Sequence, residues 1–287
     1  MKVIADCGAT KSQWIVLHCD GTASRMTAEG INVSTMSADS ITETLSETAI
    51  RISATDCSAA EIHLYMAGIP SDDLKEAIAD TFSRHFPACS LEIQSDLVGA
   101  ARAVCGHKPG IAAIIGTGSN SCQYDGEKIT SHVNTGGFIL GDEGSGATLG
   151  RLFISDFLKG LVPQQIAEDF SSRFPSDYST IITNVYKSQG SPSGYLGSFA
   201  PFIMEHYDHP YIKDLVDGNI RSFFRRAIKQ YDTDKYPVGV VGGFGYALKD
   251  IITRIASEEG ITISCFMKAP IEGLAEYHSS IEPAHRD

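Results

Sequence analysis

Three glycine-rich turns, each directly after a short apolar run, limit this chain more than any other feature. The first is Asp6-Cys7-Gly8-Ala9-Thr10-Lys11, after Lys2-Val3-Ile4-Ala5. The second is Gly116-Thr117-Gly118-Ser119-Asn120, after Ile111-Ala112-Ala113-Ile114-Ile115. The third is Gly242-Gly243-Phe244-Gly245, after Val238-Gly239-Val240-Val241. Glycine lets backbone N–H groups approach an anion closely, and small hydroxyl residues add donors. Two such turns, far apart in the sequence, predict two half-sites gripping one polyphosphate across a cleft.

The segments around the turns alternate in period. Val3–Asp6, Gln13–His18 and Thr22–Thr27 read as three strands, the last two joined by Asp20-Gly21. Over Ser40–Ile52 the apolar residues Ile41, Leu45, Ala49 and Ile52 recur at helical spacing, and Ser40 with Glu43 forms a capping box. A strand Ile62–Ala67, a helix Ser71–Phe86, a strand Leu91–Gln94 and a helix Leu97–Cys105 follow. After the joint His107-Lys108-Pro109-Gly110 the three-strand opening repeats as Ile111–Ile115, Ser121–Tyr124 and Lys128–Val133. Helical spacing then dominates from about Gly144 to Gln230. A strand Val238–Val241, a helix around Tyr246–Glu259, a strand Ile261–Met267 and a short helix Glu272–Ser279 complete the order. Gln189–Gly197, rich in Gly, Ser and Pro, is expected to be a mobile surface segment.

Composition removes several function classes. With 287 residues the chain is long enough for two domains. A net charge of −12 argues against nonspecific binding to nucleic acid or an anionic membrane. It leaves room for an anionic ligand, because turns and helix N-termini supply local positive potential. The seven cysteines are odd in number and irregular in spacing, with no CxxC pair, which predicts a reduced cytoplasmic protein. The brief apolar start before Asp6 predicts no secretory leader, and no apolar run approaches a membrane span. There is no GxxxxGK[ST], GxGxxG, GxSxG or HExxH.

Four places carry candidate chemistry. Asp6, at a strand end, suits a hydrated Mg²⁺. Beside it, Gly8, Ala9 and Thr10 form a turn tip and Lys11 adds positive charge; an ordinary polar hairpin explains them equally well. Residues 136–146 hold five glycines around Asp142 and Glu143. An acidic first helical turn accounts for the acids but not for the glycines, which favours a ligand, with Asp142 accepting hydrogen bonds from its hydroxyls. Asp96 starts a helix after a strand. It is a helix cap or a general base for an attacking hydroxyl, and position alone favours the cap. Asn32 is a turn residue or a partner for a polar ligand, and the residues leave that open.

Together these motifs resemble the actin-like ATPase superfamily of sugar kinases, Hsp70 and actin. The resemblance spans essentially the whole chain. It implies an α/β fold of two ribonuclease-H-like domains with the active site in a cleft between them. The first would cover residues 1–107, completed by a C-terminal helix at 272–287, and the second residues 108–271 with a helical insertion. Asp6–Lys11 matches the first phosphate motif and Gly116–Asn120 the second. Gly242-Gly243-Phe244 matches the glycine pair against the adenosine. Met66-Ala67-Gly68 and Glu272-Gly273-Leu274 look like the segments that cross between domains.

Within that superfamily the Gly116–Asn120 turn and residues 141–146 are most similar to the N-acetylglucosamine kinase branch, grouped with the BadF/BadG/BcrA/BcrD ATPases. The resemblance implies an ATP- and Mg²⁺-dependent kinase acting on the 6-hydroxyl of N-acetylglucosamine or a related amino sugar. It implies that Gly8, Ala9, Thr10, Lys11, Gly116, Thr117, Gly118, Gly242 and Gly243 bind the nucleotide, and that Asp6 holds Mg²⁺ through water. Asn32, Ser119, Thr135, Gly136, Gly137 and Asp142 would line the sugar site, with Asp96 as base. A homodimer is compatible with the family. The sequence departs from the family pattern at Cys7, where Gly is usual, at Gly136, where an aromatic is frequent, and at Ala147-Thr148-Leu149, which lacks an aromatic pair. The same group includes ATP-driven activators of 2-hydroxyacyl-CoA dehydratases, which share an iron–sulfur cluster between subunits. That alternative needs converging cysteines, and Cys105 and Cys122 are the nearest pair to the second turn.

Overall fold

The computed structural model describes residues 1–8, 11–33, 36–54, 61–68, 70–187 and 190–279. Ala9 and Thr10, both expected to bind nucleotide, lie outside the described residues. The chain divides into two compact units, Met1–His107 with the segment from Pro270 onward, and Lys108–Ala269. Met66–Gly68, expected to cross between domains, instead lies inside the first unit, with Met66 ending a strand, well before the division.

The first unit is built on β1 (Lys2–Cys7), β2 (Lys11–Leu17), β3 (Ala23–Glu29), β4 (Glu61–Met66) and β5 (Ser90–Ser95), ordered β3-β2-β1-β4-β5. β1, β2 and β3 form an antiparallel meander, while β4 and β5 run parallel to β1. The parallel returns need crossovers, supplied by α1 (Ala38–Ser53) and α2 (Asp72–Ser83). Their apolar stripes, Ile41, Leu45 and Ala49 on α1 and Leu74, Ile78 and Phe82 on α2, enter one core with Val3, Trp14 and Ile62. α1 begins two residues before the expected Ser40. Its cap is Ser37, whose side chain accepts from the Ser40 amide at 3.2 Å. Ser40 therefore lies inside the helix and forms no capping box. α3 (Asp96–Cys105) and the terminal helix Ile271–Ser279 pack together in this unit; a Cβ on Gly273 would stand 2.7 Å from the Ala103 carbonyl oxygen.

The second unit repeats the topology. β6 (Gly110–Ile115), β7 (Ser119–Tyr124), β8 (Ile129–His132), β9 (Val238–Val241) and β10 (Ile263–Met267) are ordered β10-β9-β6-β7-β8. β6, β7 and β8 are antiparallel, and β9 and β10 run parallel to β6. Between β8 and β9 the chain forms α4 (Gly137–Leu140), α5 (Gly146–Leu158), α6 (Gln164–Arg173), α7 (Tyr178–Ile182), α8 (Pro192–Gly197), α9 (Ala200–Glu205) and α10 (Pro210–Arg226). Between β9 and β10 lie α11 (Gly243–Ala247) and α12 (Lys249–Glu258), two helices where one was expected. Phe170 makes edge contacts with Phe153 and Phe202 at ring distances of 5.2 and 5.3 Å inside the helical insertion.

The segment expected to be mobile around Gln189–Gly197 holds α8. Pro192 opens that helix, Ser191 caps it, and Leu196 is buried. Gly150 of α5 touches its backbone so closely that a Cβ there would lie 1.9 Å from the Leu196 carbonyl oxygen. Among the described residues no helix is long and apolar enough to cross a membrane.

Candidate functional site

In the first unit the expected residues meet at the carboxyl ends of the parallel strands. Asp6 is in β1, and Asp96 follows directly on β5 as the first residue of α3. The cap of α3 is Ser95, whose side chain accepts from the Val98 amide at 3.3 Å. That leaves the Asp96 carboxylate out of the cap position that its place in the sequence favoured. Burial pushes the Asp96 carboxyl up to about 6, against the pull of the Leu97 and Asp96 amides. Burial, then the charge of Asp96, pushes Asp6 up to about 7, with Lys11 pulling the other way. Gly8 joins them through its carbonyl, which accepts from Ile31, beside Asn32, at 2.9 Å. The Cys7 side chain is fully buried in the core, so the departure from Gly adds no group to the ligand side.

In the second unit the second turn is tighter than expected. Ser119 and Asn120 are already in β7, and the Gly116 amide closes on the Gly118 carbonyl at 2.9 Å. α5 begins against this turn: the Gly146 and Ala147 amides donate to the Gly116 and Thr117 carbonyls at 2.9 and 3.0 Å. Gly242 follows β9 at φ 125°, where a Cβ would lie 2.4 Å from the Ile115 carbonyl oxygen. Only glycine lets the third turn approach the second this closely.

Two cavities flank the Gly116–Gly118 turn. One, of about 460 Å³, is lined by Gly116 and Thr117 together with Met204, Gly243, Phe244 and Leu248. The other, of about 220 Å³, is lined by Ser119, Thr135, Asp142, Glu143, Arg226 and Gln230, with apolar walls from Leu140 and Phe223. The turn borders both, with Gly116 and Thr117 lining the first and the next strand's Ser119 the second, and a Cβ on Gly118 would stand 3.0 Å from Asp142 Oδ2. Burial raises the Asp142 carboxyl above its ordinary range, and the Ser119 amide and Thr135 hydroxyl bond to it. The Ser119 hydroxyl donates to the Glu143 carbonyl at 2.8 Å, so it braces the segment. Gly136 and Gly137 take φ 75° and 70° at the head of α4. An aromatic side chain at Gly136 would press on Leu140 Cβ at 3.1 Å. Ala147, Thr148 and Leu149 are all buried within α5.

Sequence reasoning missed three supports. Asn219 of α10 accepts from the Gly144 amide at 2.9 Å and donates to the Ser145 carbonyl at 3.1 Å, fixing the glycine segment. Its signal was a lone amide on the face that carries Ile212, Val216, Ile220 and Phe223. Arg226 pairs with Glu143 at 2.7 Å, and Met204 walls the larger cavity. Neither has a local signature, because both meet the site through tertiary contact. Cys122 is fully buried within β7.

A sheet topology used twice, with a glycine turn at the same meander corner each time, defines the actin-like ATPase fold. No protein-family model and no curated protein matches the sequence. Among solved structures, a candidate N-acetylglucosamine kinase from Porphyromonas gingivalis aligns with a TM-score of 0.89 and 34% identity, over 97% of this chain and 98% of that one. The chain belongs to this N-acetylglucosamine kinase-like family. A second candidate N-acetylglucosamine kinase, from Chromobacterium violaceum, gives a TM-score of 0.75 at 18% identity, over 96% and 98% of the two chains. A ROK family glucokinase from Streptomyces griseus, in complex with glucose and AMPPNP, gives 0.53 at 15% identity, over 96% and 98%. The last two likenesses show the fold alone.

Proposed function

We propose that this protein is an ATP-dependent sugar kinase that phosphorylates the 6-hydroxyl of N-acetylglucosamine or a related amino sugar. One observation carries the reading. A single glycine turn borders a largely apolar cavity and a smaller polar one, with Gly116 and Thr117 lining the first and Asp142 the second. That arrangement suits a nucleotide base, a polyphosphate and a polyol in sequence. The family relationship supports it, and the fold relative with bound glucose and AMPPNP agrees.

The roles follow from the chemistry. Gly116, Thr117 and Gly118, with Gly242 and Gly243, hold the nucleotide. Gly8, Ala9, Thr10 and Lys11 serve its phosphates from the first unit. Thr135, Gly136, Gly137 and Asp142 hold sugar hydroxyls and the acyl group, with Asn32 contributing and Ser119 fixing the segment. A buried Asp142 rewards a correct partner, since leaving such a group unpaired costs about 1–3 kcal/mol. Asp96, with its carboxyl near 6, is poised to accept the proton of the attacking hydroxyl. The sugar oxygen then bonds to the γ-phosphorus as the bridging bond to the β-phosphate breaks, and ADP leaves. Such transfer asks mainly for positioning and charge neutralisation. Asp6 fits a hard divalent cation: it is an oxygen donor whose charged form burial, then the charge of Asp96, disfavours, and a cation would offset both. Mg²⁺ there would supply neutralisation of phosphate charge.

An ATP-consumption assay over a panel of hexoses and amino sugars tests the proposal. The expected result is turnover strongest with N-acetylglucosamine, with phosphorus NMR placing the product phosphate on the 6-oxygen. ATP consumption that no sugar raises above background would overturn it.

A further inference from the structure

We propose that the larger cavity beside the Gly116–Gly118 turn grips the donor nucleotide by the faces of its base and does not read its edge. The ligand class is therefore purine nucleoside triphosphates, with adenine, hypoxanthine and guanine accepted alike. This deepens the sugar-kinase reading and rests on it only for the turnover arm of the test.

The argument begins with what separates adenine from guanine. The two share flat apolar faces and differ in donors and acceptors along one edge. A protein that tells them apart needs a fixed polar group aimed at that edge, left unpaired by the wrong base. The cavity supplies faces. Pro201 and Met204 come from α9, Phe244 and Ala247 from α11, and Leu248 follows. Thioether and aromatic groups suit a polarisable ring. Among the described residues around this cavity, Thr117 has the one side chain with a hydroxyl, amide or charge, and it sits on the phosphate-type turn.

Part of the backbone lining is committed as well. Proline has no N–H at position 201. The Gly146 and Leu248 amides donate to the Gly116 and Phe244 carbonyls, and the Thr117 and Met204 carbonyls accept from Ala147 and Tyr207. With the phosphates at Gly116 and Thr117, the remaining length of a cavity of about 460 Å³ receives the base. An apolar pocket discriminates between ligands of similar shape only weakly, by roughly 100-fold at most, where a polar reader reaches far more.

Two measurements on the full chain test this. In the first, ADP, IDP and GDP compete with a fluorescent ADP carrying its label on the ribose, without sugar. The three dissociation constants are expected to agree within about 100-fold. GDP or IDP weaker than ADP by more than that, or a probe that does not bind, overturns the proposal. Ala247→Trp, at an exposed wall position, should weaken ADP and GDP alike at least tenfold with an unchanged melting temperature; unaltered affinity in the folded variant overturns it. If that variant does not fold, Met204→Ala must weaken both diphosphates by a similar factor. In the second measurement, ATP, ITP and GTP serve as donors to N-acetylglucosamine. Similar kcat/KM values support the proposal. No phosphorylated sugar from any donor, with binding intact, would sink the kinase reading and leave the base preference to the binding result.

Discussion

Asp96 shows how much one residue's surroundings add to its identity. Its sequence position fits a helix cap, yet Ser95 takes the cap and leaves the carboxylate buried near Asp6. Asp96→Asn keeps the shape and removes the base. Turnover should fall about 100-fold or more while sugar affinity, read by calorimetry, stays within a few fold. Unchanged turnover would remove Asp96 from the mechanism. Gly141 makes a structural point at the same scale. A Cβ there would lie 1.6 Å from the Thr135 carbonyl oxygen, so the two backbones touch only because the side chain is absent. Gly141→Ala should cost about 3 kcal/mol or more in urea unfolding and displace Thr135 from the polar cavity. Asp6, Asp96 and Asp142 were legible because charged residues beside strand ends and glycines are locally conspicuous. Arg226 and Met204 were not, since only the packing of α9 and α10 brings them to the cavities.

At the scale of elements, the strands were the most legible. Their apolar runs end in turns, and the three-strand opening shows twice in the sequence before any pairing is known. Helix ends were less so, because Ser37 and Ser40 both precede the apolar stripe of α1. The structure gives the cap to Ser37. Ser37→Ala should therefore lower stability by about 1 kcal/mol and Ser40→Ala by much less, measured by chemical denaturation. Equal effects would return the cap to Ser40. α8 was misread for a related reason. Gly, Ser and Pro usually punctuate loops, but here Pro192 and Ser191 begin a helix held against α5. What overrides the local tendency is tertiary contact, through the buried Leu196 and the close approach of Gly150.

At the scale of the whole molecule, the chain completes its first unit only after building its second, because the terminal helix Ile271–Ser279 returns to β1, β4 and α3. His278 anchors that return. Its ring stacks on His63 at 3.7 Å, its Nε2 faces the Tyr65 hydroxyl at 2.8 Å, and Lys2 donates to its carbonyl at 3.0 Å. Arg102 can only donate to the Tyr65 oxygen, at 2.7 Å, so the tyrosine proton points to Nε2 and the ring carries its own proton on Nδ1. That Nδ1 is buried without a hydrogen-bond partner. A second proton would find no acceptor and would stand beside Arg102. Burial, with His63 and Arg102 adding to it, accordingly lowers the His278 pKa from 6.5 to about 3. Below pH 6.5 the unfolded chain takes up a proton that the folded one refuses until about pH 3. The contribution of His278 is thus full above that window and falls as pH drops through it, by up to about 1.4 kcal/mol per pH unit. Glu92, held down by His63 and Arg102, acts in the same direction at lower pH. Urea unfolding between pH 7.5 and about 4.5 checks this, with His278→Gln as the comparison. The glutamine variant should start less stable and lose less on acidification; parallel pH profiles would mean that the terminal helix is not held by a histidine that refuses its proton.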